Sequence, residues 1–248
     1  MECWVLRGRT ASREPRLVEG RSGSPPSLGD RDVHVWTVRL SGDAGRGARF
    51  ADVLSEVEGR AMARFAFAQD RRRYRLSHVA ARTIVGTYLG CEARLVQLEQ
   101  DAVGKPYIVG ADLQCSWAHA GDLAVVGVGR RRALGVDVEP VRTLPDAEAL
   151  KRTAFTARER AHLEIVDTPS ELLRLWTRKE AVLKATGEGL RRAPKDVEVL
   201  EPLALRGWRI VDLAPAQGYV GAAVVRDSTE RVLTTDFAWT PPACDRPA

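Results

Sequence analysis

One order of periodicities occurs twice along this chain, and it restricts the fold more than any single residue does. The segment DVHVWTVRL, 32–40, alternates apolar and polar residues and reads as a strand. Helical patterns follow at 51–67 and 70–89, with Asp70 as the expected N-cap and Gly90 as the stop. Short strands are expected near 93–98, 106–109, 113–118 and 123–128, with AGD at 120–122 as a hairpin-like turn. A strand over 134–139 then opens a second run of the same kind. Helices are expected at about 146–153, 156–165 and 169–186, and strands near 196–200, 207–213, 218–225 and 231–238. Thr156 and Glu159 have the spacing of a capping box. The order fits an α+β protein of two similar lobes, 31–130 and 131–240. Residues 1–30, rich in Arg, Ser, Gly and Pro and without periodicity, are expected to form a disordered leader.

Composition bounds the rest. A chain of 248 residues, 44% hydrophobic and 29% charged, has the make-up of a soluble globular protein with a sizeable core. No apolar run reaches the ~20 residues of a membrane span, and the N-terminus has no stretch of signal-peptide length. A cytoplasmic protein with no membrane partner is expected. Cys3, Cys91, Cys115 and Cys244 lie far apart and form no CxxC pair, which argues against zinc or a disulfide framework. The net charge of +5 is carried almost wholly by arginine, since Lys occurs only at 105, 151, 179, 184 and 195. Such a surface favours acidic partners: nucleic acid, phosphorylated small molecules or an acidic protein.

The chemistry begins at ALGVDVEPVR, 133–142. On a strand, Val136 and Val138 take one face and Asp137 and Glu139 the other, about 6.5–7 Å apart. Two carboxylates held that close repel, so water, a basic partner or a metal ion must offset the cost. In LWTRKEAVLKATGEGL, 175–190, helical spacing puts Trp176, Glu180 and Lys184 on one stripe. The bland reading there is a surface Glu180–Lys184 ion pair, worth ~0.3–0.5 kcal/mol. In SWAHAGD, 116–122, His119 ends a strand beside a turn, where a lone His is more often structural than functional. By itself GKPY, 104–107, is a turn. The arginines of DRRRY are mostly solvated, though Arg73 or Arg82 could face a phosphate. Paired carboxylates and a lysine also suit a Mg²⁺-dependent nuclease or phosphohydrolase. Against that, the basic residues are not interleaved with aromatics, and no GxxxxGK[ST] loop for a nucleoside triphosphate is present.

Taken in order, GKPY, SWAHAGD, GVDVE, FTARERAHL and WTRKEAVLKATGEGL resemble the 4′-phosphopantetheinyl transferase family, in its two-lobed, surfactin-synthetase-activating form. The resemblance covers about residues 50–225. It implies a pseudo-twofold pair of lobes with the active site in the cleft between them. It implies transfer of 4′-phosphopantetheine from coenzyme A to a serine of an acidic acyl or peptidyl carrier protein. The reaction would need Mg²⁺ and release adenosine 3′,5′-bisphosphate, and a monomer that binds no nucleic acid is expected. Residue by residue, Asp137, Glu139 and Glu180 match the family's Mg²⁺ carboxylates. Lys184 matches the lysine on the coenzyme A phosphates and His119 a histidine that also contacts phosphate. Arg73 falls at a basic position of the N-terminal helix and Lys105-Pro106 at a Lys-Pro loop. Glu159 matches a glutamate read as a base, while Lys179 and Trp176 complete the motif. The chain departs from the pattern at Ala118, where a Ser is usual, and Ser116 stands where an Asn is usual. Upstream lysines for the 3′-phosphate are unmatched, with Arg60 or Arg64 as substitutes. Ala118 keeps open an alternative, a catalytically impaired homologue that only binds carrier protein.

Overall fold

The structure, a computed structural model, describes residues 16–19, 27–41, 52–102, 104–201 and 207–237. Its strands are β1 (Arg16–Glu19), β2 (Asp32–Arg39), β3 (Leu98–Gln100), β4 (Pro106–Ile108), β5 (Leu113–Ala120), β6 (Leu123–Arg130), β7 (Gly135–Pro140), β8 (Trp208–Leu213), β9 (Tyr219–Arg226) and β10 (Arg231–Asp236). Its helices are α1 (Glu56–Ala63), α2 (Ala68–Leu89), α3 (Ala147–Ala154), α4 (Ala157–Ile165) and α5 (Pro169–Thr186). The α+β class is as expected. Among the described residues, no helix is long and apolar enough to cross a membrane.

A five-stranded sheet, β1-β10-β2-β6-β5, packs against a three-stranded sheet, β7-β9-β8, with β3 and β4 as a separate hairpin. Each sheet is covered on both faces, which is why β2 and β6 are buried along nearly their whole length. Strand alternation sorts the side chains. Trp36 and Val38 of β2 and Val126 and Val128 of β6 face α2, while Val33, Val35 and Val125 face the second sheet. There they meet Val136 and Val138 of β7 and Ala223 and Val225 of β9. The other face of that sheet, with Ala222 and Val224, packs under α5 through Ala181, Val182 and Ala185. The order of layers is helix, sheet, sheet, helix.

Two glycines permit the closest approaches. A Cβ at Gly127 would lie 2.4 Å from Leu134, where the sheets meet. One at Gly135 would lie 2.1 Å from the Ala181 carbonyl and 2.5 Å from the Ala185 nitrogen, so α5 rests directly on the β7 backbone.

Several sequence expectations need correction. Residues 16–19 of the supposed leader form β1, which pairs in parallel with β10; most of the remaining leader lies outside the described residues. β10 itself, read as part of the second lobe, lies in the first sheet between β1 and β2. Arg231 reaches Asp32 across that pairing, Nε to Oδ1 at 2.9 Å, and Val232 is buried between the sheets. The first helix is shorter than 51–67 because Ser55 and Glu58 cap it reciprocally. The long helix α2 starts at Ala68 with Phe67 at the N-cap and no side-chain cap, so Asp70 lies inside the first turn. Ala93–Leu95 and Pro194–Asp196 are 3-10 turns, where strands near 93–98 and 196–200 were expected. Val197 and Val199 are still buried, against α5 and its neighbours, which accounts for the apolar alternation that suggested a strand.

Candidate active site

β7 and α5 build the centre together. The valines of β7 point between the sheets, so its odd-numbered residues must face α5. Asp137 is 7% exposed and its Oδ1 accepts a hydrogen bond from Lys184 Nζ at 2.7 Å; the same ammonium donates to the Val136 carbonyl at 3.2 Å. Glu139, two residues on, pairs with Arg142 at 3.2 Å. Glu180 lies one turn before Lys184 and has no hydrogen bond or ion pair among the described residues.

These three carboxyls influence one another. Burial raises the Asp137 pKa, against the pull of Lys184. Glu139 is raised by burial and then by the charge of Asp137. Glu180 is raised by burial, then by Asp137 and, more weakly, by Glu139. Burial is the first cause at all three, and the charge of Asp137 adds to it at Glu139 and Glu180, so the site is short of positive charge. Lys184 supplies one. The donor set, hard oxygens only, is of the kind Mg²⁺ prefers. Among the described residues, no three His, Cys, Asp or Glu side chains come together as a group that could hold a metal ion, so the trio would have to close further to do so.

Beside this centre a cavity of about 470 Å³ opens between the two sheets' helices. Lys105, Pro106, Tyr74, His78, Trp117 and Lys184 are in its wall, drawn from both halves of the chain. Lys105 crosses to the end of α5 and donates to the Ala185 carbonyl at 2.9 Å, and burial lowers its pKa. His78 stacks on Tyr74, ring centroids 3.9 Å apart, and meets Trp117 edge-on at 5.2 Å. His119 lies 3.4 Å from Ser77 Oγ. Its pKa falls to about 4, through burial first and then through the charges of His78, Lys184 and Arg73. Lys184 and Arg73 beside one imidazole suit an anion. Arg73 is held at the rim by Asp122, with Nε and Nη2 each 3.1 Å from Oδ1.

The structure thus brings together Asp137, Glu139, Glu180, Lys184, Lys105, Pro106, His119 and Arg73. It sets Glu159 and Lys179 apart. Both side chains are 0% exposed and paired at 2.6 Å. Glu159 Oε2 also accepts from the Thr156 amide at 2.8 Å and Oε1 from the Val199 amide at 2.9 Å. Lys179 donates to the carbonyls of Pro194, at 2.9 Å, and Val197. A carboxylate sealed on both oxygens has no path to a substrate hydroxyl, so the reading of Glu159 as a base is replaced by a structural one. Lys179 likewise holds the 194–199 segment against α5 and is not in the wall of this cavity.

Ala118 is buried in the apolar layer between the sheets and is not in the cavity wall. The residue two before it, Ser116, does line the cavity, and its Oγ accepts from the Val136 amide at 3.2 Å. Sequence reasoning missed Tyr74, His78 and Trp117. The i, i+4 spacing of Tyr74 and His78 was the available signal, but nothing local tells a cavity wall from a core stripe.

Two family models and several known proteins match the sequence of this chain. A family model described as the 4′-phosphopantetheinyl transferase superfamily matches residues 133–224, and one described as the N-terminal part of 4′-phosphopantetheinyl transferase matches residues 47–129. The chain is 30% identical over 233 residues to the 4′-phosphopantetheinyl transferase HetI of a Nostoc species, covering 88% of this chain and 94% of that protein. It is 28% identical over 179 residues to a phosphopantetheinyl transferase of Thraustochytrium, 64% of this chain and 62% of that one. It is 28% identical over 164 residues to the L-aminoadipate-semialdehyde dehydrogenase-phosphopantetheinyl transferase of Schizosaccharomyces pombe, 59% and 64% respectively. With the site's carboxylates and lysine falling inside the longer of the two matched regions, the chain belongs to the 4′-phosphopantetheinyl transferase superfamily.

Proposed function

We propose that this protein transfers 4′-phosphopantetheine from coenzyme A to a serine hydroxyl of an apo acyl or peptidyl carrier protein, releasing adenosine 3′,5′-bisphosphate in a Mg²⁺-dependent reaction. The observation that carries the reading is the contact of Lys184 with Asp137 at the mouth of a cavity walled by Lys105 and Lys184. A pyrophosphate could lie there with cations on one side and the carboxylate trio on the other.

Asp137, Glu139 and Glu180 would hold the Mg²⁺. Bound there, it would neutralise charge developing on the phosphate oxygens as the P–O bond breaks. If Asp137 held the metal, Lys184 would be free to donate to the phosphates. Arg73 would add positive charge beside the cavity and the neutral His119 a ring nitrogen, and Lys105 with Pro106 would close the far end. The serine oxygen attacks the pantetheine-bearing phosphorus, the bisphosphate leaves, and the serine proton goes to solvent or to a carboxyl of the trio. Because Glu159 is sealed, it takes no part in that step.

The carrier-binding alternative rested on Ala118. Its place in the apolar layer, away from the cavity, favours the active enzyme. The direct test is release of adenosine 3′,5′-bisphosphate from coenzyme A, which should need apo carrier protein and Mg²⁺ together. Coenzyme A left intact in the presence of several apo carriers would count against the proposal.

A further inference from the structure

A second cavity, about 540 Å³, lies on the other side of Lys105 and Pro106 from the first. Its wall carries Lys105, Arg131, Arg191 and Arg226 against one carboxylate, Asp101. Asp101 is already engaged, its Oδ1 accepting from the Lys105 amide at 2.9 Å. Arg131 pairs with Asp112, outside the cavity wall. Arg191 and Arg226 have no acidic partner among the described residues. Four cations converging on a concave surface repel one another, and an anion in the hollow would relieve that.

Two further features point the same way. Arg226 lies over the indole of Trp208, its guanidinium 4.7 Å from the ring centroid, on the facing position of the neighbouring strand. The stack fixes a cation and leaves an aromatic edge in the cavity wall. Arg131 has a positive φ of 52°, a backbone state unfavourable for a residue with a Cβ, in the turn that leads from β6 to β7.

We infer that this hollow is a second anion site, which takes a phosphoryl group of a small molecule on Arg191 and Arg226 with Trp208 beside it. A concave site of this volume suits a small ligand better than a macromolecular surface. It does not rest on the transferase reading and is separate from the donor cavity. The two share a wall in Lys105, Pro106 and Gly187. An anion in the second site would compete with the Ala185 carbonyl for the Lys105 ammonium and so alter the end of the first.

The test is calorimetric titration of the full chain with adenosine monophosphate and, separately, inorganic phosphate. It uses the wild type, Lys184→Ala and the double variant Arg191→Ala/Arg226→Ala, each checked for an unchanged near-UV spectrum. Binding that survives Lys184→Ala but weakens tenfold or more in the double variant supports the site. Loss of both anions alike assigns recognition to the phosphoryl group, and loss for the nucleotide alone adds the ring at Trp208. If the double variant does not fold, Arg191→Gln and Arg226→Gln singly serve instead. Wild-type affinity in the arginine variants, or no binding to the wild type at millimolar anion, overturns the inference.

Discussion

Lys184 reaches from α5 to β7 and sets its ammonium 2.7 Å from Asp137 Oδ1, although Glu180 lies one turn earlier on its own helix. The helix-surface ion pair expected from spacing alone is therefore not formed. The lysine instead tethers the two elements that carry the carboxylates and occupies the place of the positive charge they lack. Asp137 then has two roles, partner to Lys184 and ligand to the proposed metal.

Asp137→Asn removes the charge and keeps the shape. Lys184 can still donate to the amide oxygen and the Val136 carbonyl, so the fold should persist. Transfer should fall by at least ~100-fold, the scale of losing one charge-stabilising group in an active site. Rates measured over a Mg²⁺ series check this, and a near-normal rate at ordinary Mg²⁺ would remove Asp137 from the metal site.

The Glu159–Lys179 pair gives a prediction of the opposite kind. Both groups are fully buried and every polar contact around them is used. Glu159→Ala should cost about 3–5 kcal/mol of stability by stranding the Lys179 charge. The double variant Glu159→Leu/Lys179→Met should recover much of that loss. Urea unfolding of the three proteins measures the difference. A Glu159→Ala protein of wild-type stability with a lost rate would restore the catalytic reading.

Gly135→Ala tests how closely α5 must sit on β7. The new methyl would meet backbone atoms of Ala181 and Ala185, which cannot rotate away. Displacing the helix should cost about 1–3 kcal/mol and also draw Lys184 and Glu180 from Asp137. Stability and transfer rate should fall together. A variant that loses neither would show that the approach is not required.

Acid sensitivity should arise in part at His34, far from the site, alongside His119, whose pKa burial lowers to about 4 in the same way. The His34 Nδ1 lies 2.7 Å from the Tyr88 hydroxyl, which accepts from Trp36 Nε1 at 3.0 Å. Burial of the ring disfavours its charged form. Burial, opposed by Asp32, lowers its pKa to about 4 from 6.5. The unfolded chain takes up this proton first, so stability is full above pH ~6.5 and declines until about pH 4. The total is roughly 3 kcal/mol. Unfolding free energies at pH 7 and 4.5 should converge more closely in His34→Gln than in wild type. Equal pH dependence in the two proteins would exclude His34 as a cause. The low pKa of Glu58, about 2, adds its loss only below its ordinary 4.5, outside most of this window.

How much of this was legible in the sequence follows from the range of each interaction. Periodicity located β2, α5 and β7, because their faces are fixed by layers of ordinary spacing. The stop at Gly90, with φ of 69°, and the Thr156–Glu159 capping box are local and were readable. The place of β10 in the first sheet was not, since it depends on pairing across nearly the whole chain with Asp32. The carboxylates and Lys184 were found through their motif. The setting of Glu159 was hidden because a capping glutamate and a catalytic one look alike until Lys179 and the Val199 amide are placed around it. Trp117 and His78 became part of a cavity only when α2 and β5 were packed.

The central claim is tested most directly by the intact mass of an apo acyl or peptidyl carrier protein after incubation with this protein, coenzyme A and Mg²⁺. The account predicts the gain of one phosphopantetheine group per carrier, abolished by chelating the metal and by Asp137→Asn. No gain on any of several carriers, with the protein folded and coenzyme A in excess, would contradict it.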